Sequence, residues 1–399
     1  MKKTRPNGFV YQILRILAII YLKFRCKFRV KKEGLKNVKG SYLLIFNHYS
    51  NYDFLFAATA IGSRRVNFVV SSYFFRNKGF ARILKANKCI SKEQFKPDLK
   101  AIRQMKAVIN EGGIIGIAPA GQVSITGEST FISPAIIKLI RFLKTDVVSM
   151  VIKGAHLLFP KWGVNKRRGR IDAEYVHIIK KEEFDNLTDQ EIYDRVVESI
   201  SINDYTYQAE KKYPIKGKNM IEGLNNILYY CPKCHQEFYH QVRENVMECT
   251  YCGNKTKMDK YGFLAPVDAD SVCFSDEVKW YRHQKERLAK EMQDPNFVMT
   301  MEVDVQRANP ETSIFEYAGH GMLTFKGDEI TYEGELLNEL VTRQYSLKSV
   351  AQLPFKPAAH IEIPNDEAQY LFQPVNNKSQ LIKWVIATDI LNDLNLNKE

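Results

Sequence analysis

The chain has 399 residues, 26% of them charged and 45% hydrophobic, so gross disorder is excluded and the length allows two or three domains with real cores. The net charge of +13 is concentrated in residues 1–40, where twelve Lys/Arg face one acid, Glu33. The remainder is nearly neutral, which argues against a nucleic-acid-binding surface running over the whole molecule.

The first predicted element is the apolar stretch Phe9–Phe24, interrupted only by Gln12, Arg15 and Lys23. At 100° per residue those three fall within an arc of about 80°. The uninterrupted run Ile16–Leu22 is far short of the roughly 20 residues a spanning helix needs. A basic helix within residues 1–32, lying in the membrane interface and held by anionic lipid, is expected. Two other readings stand beside it. One is a signal peptide, although further Lys/Arg follow where a small-residue cleavage site belongs. The other is a helix packed on its own domain.

From residue 40 to about 180, short β-branched runs alternate with helical patterns. Tyr42–Phe46, Val66–Val70, Ile114–Ala118 and Val147–Ile152 read as buried strands, with Val176–Ile179 as a further one. Pro97 and Asp98 open a helix carrying Ile102, Met105, Val108 and Ile109 on one face, closed by Gly112-Gly113. Ser133-Pro134 starts another that runs through Leu143. A capping box from Thr188 to Glu191 opens a third, reaching about Ile200. This alternation predicts an α/β layer domain.

Directly after the first of these strands comes Asn47-His48-Tyr49-Ser50-Asn51-Tyr52-Asp53. An imidazole that takes a proton from a weakly acidic hydroxyl works best when a carboxylate fixes its tautomer. A turn from a strand into a helix at Phe54–Ile61, with Leu55, Ala58 and Ile61 at helical spacing, brings Asp53 back onto His48. Without that context Asp53 is a helix cap and His48 a surface histidine. A second turn, Ile117-Ala118-Pro119-Ala120-Gly121-Gln122-Val123-Ser124, follows another strand. Ligands of α/β sheets gather at the carboxyl ends of strands, where both loops belong.

On these residues the stretch from 42 to about 160 resembles the glycerolipid acyltransferase family, typified by bacterial 1-acyl-sn-glycerol-3-phosphate acyltransferases. That family's Asn-His-x4-Asp block is matched by Asn47, His48 and Asp53. Its second block, ending in an arginine, is matched loosely by Cys89-Ile90-Ser91-Lys92. Its Phe-Pro-Glu-Gly-Thr-Arg-Ser block aligns with Ala118–Ser124, and its proline-containing fourth block with Val147–Ile152. The resemblance implies acyl transfer from a thioester-type donor (acyl-CoA, an acyl carrier protein thioester, or similar) to the hydroxyl of a glycerol-based or lysophospholipid acceptor. It implies His48 as general base and Asp53 as its orienter. Asn47, Lys92, Pro119, Gly121, Gln122 and Ser124 become the substrate-binding candidates. A peripheral or monotopic enzyme at the cytoplasmic face of an anionic membrane is expected.

The chain departs from the family pattern at informative places. Ala120 stands where the family has glutamate, Val123 where it has arginine, and the fourth block lacks its proline. Lys92 keeps charge but loses the bidentate fork suited to phosphate. The proposed acid/base pair is intact while the acceptor loop is rewritten, so an altered acceptor is expected; a lipid-binding or scaffold relative is the alternative. Lys153, Lys161, Lys166, Arg167, Arg168 and Arg170 are substitute anion contacts or simply a solvated face.

Residues 1–215 are assigned to this domain, its end merging into a Tyr/Lys-rich linker read at 203–226. Cys231-x-x-Cys234 and Cys249-x-x-Cys252, fourteen residues apart, predict a structural zinc ribbon over 226–262, with rubredoxin-like iron as the minor alternative. His235 and His240 are not needed as ligands, and Cys26, Cys89 and Cys273 lack motif partners. With no secretory signal, the paired cysteines fit a reducing compartment. A charged helix over 276–293 precedes a β-rich region. Its predicted strands are Phe297–Val305, Gly321–Phe325, Glu329–Tyr332, Leu340–Tyr345, Ile361–Ile363 and Tyr370–Gln373, and an amphipathic helix Gln380–Leu394 closes them. On pattern alone, 275–396 looks like a pleckstrin-homology/GRAM-type barrel, with His320 as a turn residue.

Overall fold

Runs that are apolar on both faces demand a strand covered on both sides, and the first unit is built around such runs. The structure is a computed structural model that describes residues 4–93, 98–309, 314–348, 350–364 and 369–396. It divides into two units, residues 1–161 with 167–216, and residues 162–166 with 217–399.

In the first unit the strands β1 (Cys26–Lys31), β2 (Tyr42–Phe46), β3 (Val66–Ser71), β4 (Ile90–Lys92), β5 (Ile114–Ile117), β6 (Asp146–Lys153) and β7 (Arg167–Ile179) lie in the order β1-β7-β6-β2-β5-β3-β4. All neighbours are parallel except β6 with β7. Every residue of β2 is buried. Helices α1 (Gly8–Arg25), α2 (Asp53–Ala60), α3 (Lys78–Ala86), α4 (Leu99–Asn110), α5 (Ala135–Leu143), α6 (Ala155–Leu158), α7 (Asp189–Ile200) and α8 (Asp204–Lys211) connect or flank the strands. One core joins Leu43, Ile45, Ile115 and Val147 of the sheet to Met105 and Val108 of α4, Ile136 and Ile140 of α5, and Ile192 and Val196 of α7.

Several expectations change here. The N-terminal helix ends at Arg25, and residues 26–31 form an edge strand with Lys27, Arg29 and Lys31 on its exposed positions. Helix α2 buries Asp53, Phe56, Ala57 and Ala60, and Ile61 just past its end is buried as well, while Leu55 and Ala58 are only partly covered. The run at 167–170 opens β7, with Lys166 and Arg168 exposed and the other two arginines engaged. Arg167 is buried and donates to the Leu157 carbonyl at 2.7 Å, while Arg170 pairs with Asp172 at 2.9 Å. The stretch read as a linker from 203 holds α8, whose Asp204, Tyr205 and Gln208 are buried. Asp98 caps α4 through the Ala101 N–H as expected, and Pro97 lies outside the described residues.

The second unit carries a four-stranded antiparallel sheet (240–243, 246–249, 255–258, 264–266) and a seven-stranded antiparallel one. The latter runs in the order 339–346, 329–336, 315–326, 298–308, 370–374, 360–362, 355–356, an open path among the described residues. His320 lies within the strand 315–326, not in a turn, and bridges Asp304 at 3.0 Å and Glu302 at 3.2 Å. Helix α9 (Glu277–Glu291) is pinned by the Trp280 indole, which donates to the Tyr230 carbonyl at 2.9 Å. Helix α10 (Gln380–Leu396) buries Leu381, Ile382, Trp384, Val385, Ile386, Ala387, Thr388 and Ile390, so it is enclosed on more sides than an amphipathic stripe requires.

Candidate active site

Parallel pairing of β2 with β5 and with β6 brings three loops to one sheet edge, at the carboxyl ends of the strands. His48 lies in the loop after β2, with Asp53 at the first turn of α2. The His48 Nδ1 is 3.0 Å from Asp53 Oδ2. The Asp53 carboxylate is fully buried, whereas the His48 side chain keeps 25% exposure. The same carboxylate accepts the Tyr49 N–H at 2.8 Å, the Ser50 N–H at 2.9 Å and the Ser50 hydroxyl at 2.6 Å. Four donors therefore fix its orientation. A carboxylate only accepts, so Nδ1 carries the proton and Nε2 is left with its lone pair.

Asn47 is almost wholly buried and does not face the site as a free amide. Its Nδ2 donates to the Ile152 carbonyl at 2.8 Å and its Oδ1 accepts the Ile152 N–H at 2.7 Å, so it completes a missing rung between the loop and β6. The third-block loop meets the histidine directly, since the Ser124 N–H donates to the His48 carbonyl at 2.7 Å. Gly121 has φ +71°, the left-handed region that a residue with a Cβ avoids, and turns the loop with its N–H on the Ala118 carbonyl. Pro119 is half-buried, Gln122 and Ser124 are buried, and Val123 is 8% exposed. Lys92 ends β4 on the same edge, three strands from β2, or about 14 Å at ~4.8 Å per strand. Its ammonium donates to the Glu93 carbonyl at 2.9 Å, and burial pushes its pKa down against the pull of Asp98 and Glu93.

A second ring of contacts holds this edge, and of its side chains only Ser124 is among the sequence-predicted site residues. The buried Tyr49 hydroxyl donates to the Ile202 carbonyl and lies 3.0 Å from Ser129 Oγ. Ser124 Oγ donates to the Glu128 carbonyl at 2.6 Å, and the Asp204 N–H to that of Gly127 at 3.0 Å. Asp204, wholly enclosed, accepts the Gly154 N–H at 2.7 Å and the His156 N–H at 2.9 Å. Burial pushes its carboxyl up to about 6, against those two N–H donors. Only Ser50, three residues before Asp53 in a capping-box spacing, left a local signal in the sequence.

In the second unit Cys231, Cys234, Cys249 and Cys252 gather with all Sγ atoms within 4.8 Å of one another. The two knuckles fold alike. Cys231 N–H donates to the Gln236 carbonyl and His235 N–H to that of Cys231, while Cys249 N–H donates to Asn254 and Gly253 N–H to Cys249. His235 (φ +64°) and Gly253 (φ +73°) hold the equivalent left-handed position. Cys231–Cys252 and Cys234–Cys249 sulfur separations of 3.8 and 3.7 Å match the ~3.8 Å edge of a tetrahedron with 2.3 Å metal–sulfur bonds. The four residues can thus hold a metal ion. His235 instead engages the Tyr230 hydroxyl, and His240 the Leu228 carbonyl at 2.7 Å.

No helix among the described residues is long and apolar enough to cross a membrane. Residues 27–153 match the model of a family described as Acyltransferase. No curated protein matches the chain. Among solved structures, the 1-acyl-sn-glycerophosphate (LPA) acyltransferase PlsC from Thermotoga maritima is similar at 14% identity and a TM-score of 0.42, over 51% of this chain and 80% of that one. The Ran-binding domain of the nuclear complex component Nup2 from Ashbya gossypii is similar at 13% identity and a TM-score of 0.19, over 23% of this chain and 94% of that one. By the family match over residues 27–153, the first unit carries an acyltransferase-type α/β domain.

Proposed function

We propose that the chain moves a fatty acyl group from a thioester donor to the hydroxyl of a glycerol-based or lysophospholipid acceptor at a membrane surface. The observation that carries this reading is the His48–Asp53 contact at 3.0 Å with the imidazole partly exposed and the carboxylate enclosed. His48 Nε2 takes the acceptor proton as the hydroxyl oxygen attacks the acyl carbonyl. The carbon–sulfur bond then breaks, and the imidazolium returns the proton to the leaving thiolate. Asp53 orients the ring and steadies its positive charge. The donor is acyl-CoA, acyl carrier protein or a similar thioester.

Asn47 acts as a positioning residue, holding the loop to β6. Pro119, Gly121, Gln122 and Ser124 shape the wall opposite His48, and Lys92 lies further along the edge. Ala120 and the inward-turned Val123 leave this wall without the family's carboxylate and guanidinium, which favours an acceptor recognised by other means. The same two residues support the second reading, a lipid-binding scaffold built on this fold.

Attachment to an anionic, cytoplasm-facing membrane, peripheral or monotopic, is supported by α1. Phe9, Ile13, Ile16, Leu17, Ile20 and Phe24 are exposed, within an arc of about 100°, while Tyr11, Ala18 and Leu22 pack inward on the opposite side. In the second unit Cys231, Cys234, Cys249 and Cys252 would hold a structural Zn2+, which supplies cross-linking and no open coordination position. The seven-stranded sheet with α10 is read as a PH/GRAM-like docking module.

The test is a screen of acyl-CoA and acyl carrier protein donors against lysophospholipids and glycerol derivatives, with His48→Ala as control. Transfer by the wild type that His48→Ala lacks supports the enzyme. Tight vesicle binding without transfer from any donor favours the scaffold.

A further inference from the structure

The exposed apolar stripe of α1 has a neighbour that the N-terminal charge does not reveal. Between Asp53 and Glu93 the chain contains no acid and eight Lys/Arg: Arg64, Arg65, Arg76, Lys78, Arg82, Lys85, Lys88 and Lys92. Within that stretch the turn at Ser72–Phe75 and helix α3 expose large apolar side chains. Phe74 is 45%, Phe80 39% and Ile83 43% exposed, although α3 turns Ala81 and Leu84 inward as a surface helix should. Tyr73 stacks edge-on to Phe74 at 5.5 Å, and Phe74 to Phe80 at 6.0 Å. Lys78, Arg82, Lys85 and Lys88 of the same segment are exposed.

Two placements give the patch an orientation. The start of α1 is fastened to the end of α3: the Asn7 N–H donates to the Ala86 carbonyl at 3.3 Å, and the Asn67 amide reaches the carbonyls of Thr4 and Lys88, both at 2.9 Å. The aromatic turn also follows β3, whose carboxyl end lies on the same sheet edge as the His48 loop, two strands or about 10 Å from β2.

We propose that Ser72–Lys88 is a second membrane-contacting element, which seats Phe74, Phe80 and Ile83 in an anionic bilayer beside α1 and sets the active-site edge against the lipid surface. Aromatic side chains suit the headgroup boundary, and each cation near an anionic surface adds attraction. An exposed apolar cluster on a segment that carries exposed cations and no acid matches that partner in both charge and polarity. The inference rests on the membrane-surface reading above.

The experiment measures partition of the full chain onto phosphatidylcholine vesicles with and without phosphatidylglycerol. Three variants accompany the wild type: Phe80→Ser/Ile83→Ser, the charge reversal Lys78→Glu/Lys85→Glu, and Leu17→Ser/Ile20→Ser on α1. All six positions are exposed, and an unchanged melting curve certifies each fold. The Phe80/Ile83 variant should bind anionic vesicles at least roughly tenfold more weakly. The charge reversal should lose most of the preference for phosphatidylglycerol. If only the α1 variant weakens binding, the second element is overturned and membrane attachment stands. If no variant changes binding, both fall. If the α3 variants bind vesicles as the wild type does but fail only with acyl carrier protein donors, the patch docks an acidic protein and the proposal is overturned.

Discussion

Asp53 serves two purposes, and substitutions separate them. It orients His48, and it closes the turn by accepting from the Tyr49 and Ser50 N–H groups and the Ser50 hydroxyl. Asp53→Asn keeps the shape but offers one acceptor oxygen and lets the imidazole adopt the other tautomer. The expected result is a fall in kcat of about 10²–10⁴ with little change in KM, read by steady-state kinetics. Tyr49 acts at one remove, through the bond from its hydroxyl to the Ile202 carbonyl. Tyr49→Phe leaves that carbonyl short of a buried donor, at about 1–3 kcal/mol of stability. It should lower kcat while the pH–rate profile keeps its shape, since the proposed base is untouched; a displaced profile would refute a purely positioning role. Asp204 gives a pH signature. Its folded-state pKa of about 6 lies above the ordinary aspartate value of 3.8, so its stabilising contribution is complete below about 3.8 and is lost as pH rises through 6. Asp204→Asn cannot titrate. The stability of the wild type relative to the variant should therefore be highest near pH 4 and fall by pH 7, as followed by urea unfolding.

At the scale of elements, the four-cysteine cluster with its short strands is the part that the proposed zinc would hold together. Its strands are three or four residues long, and its four sulfurs converge at tetrahedral spacing. Chelation at neutral pH, or Cys234→Ser, should remove one zinc per chain and lower the melting temperature of the second unit, because metal affinity at such a site is folding free energy. Retention of melting temperature and of metal in Cys234→Ser would contradict a four-thiolate site. Legibility follows the same physics. β2, β5 and β6 were readable because they are apolar on both faces, and α4, α5 and α7 because caps and helical spacing agree. β1 was hidden by Lys and Arg, since an edge strand tolerates charge on its exposed positions, and the start of β7 by Arg167, Arg168 and Arg170, of which Arg167 is buried on the Leu157 carbonyl. α8 was hidden because its first turn buries Asp204, Tyr205 and Gln208, an unusual choice that only the neighbouring loops explain.

At the scale of the whole chain, charge and chemistry are divided. Residues 1–40 carry a net +11, the acid-free stretch 54–92 adds eight more cations, and the proposed acid/base pair lies between their elements in the chain at 48 and 53. The His-x4-Asp spacing, read with its strand, was enough to expect the pair and its contact. The Tyr49–Ser129–Ile202 and Asp204 supports were not legible, because each joins residues dozens to more than a hundred positions apart and leaves no local pattern. What is local in sequence, a motif or a cap, can be read; what is local only in space cannot. The most direct test of the central claim is the rate of acyl transfer by His48→Ala against wild type, on whichever donor and acceptor pair the screen finds active. The account predicts a fall of about 10²–10⁴ with vesicle binding unchanged. Undiminished transfer by His48→Ala would contradict it.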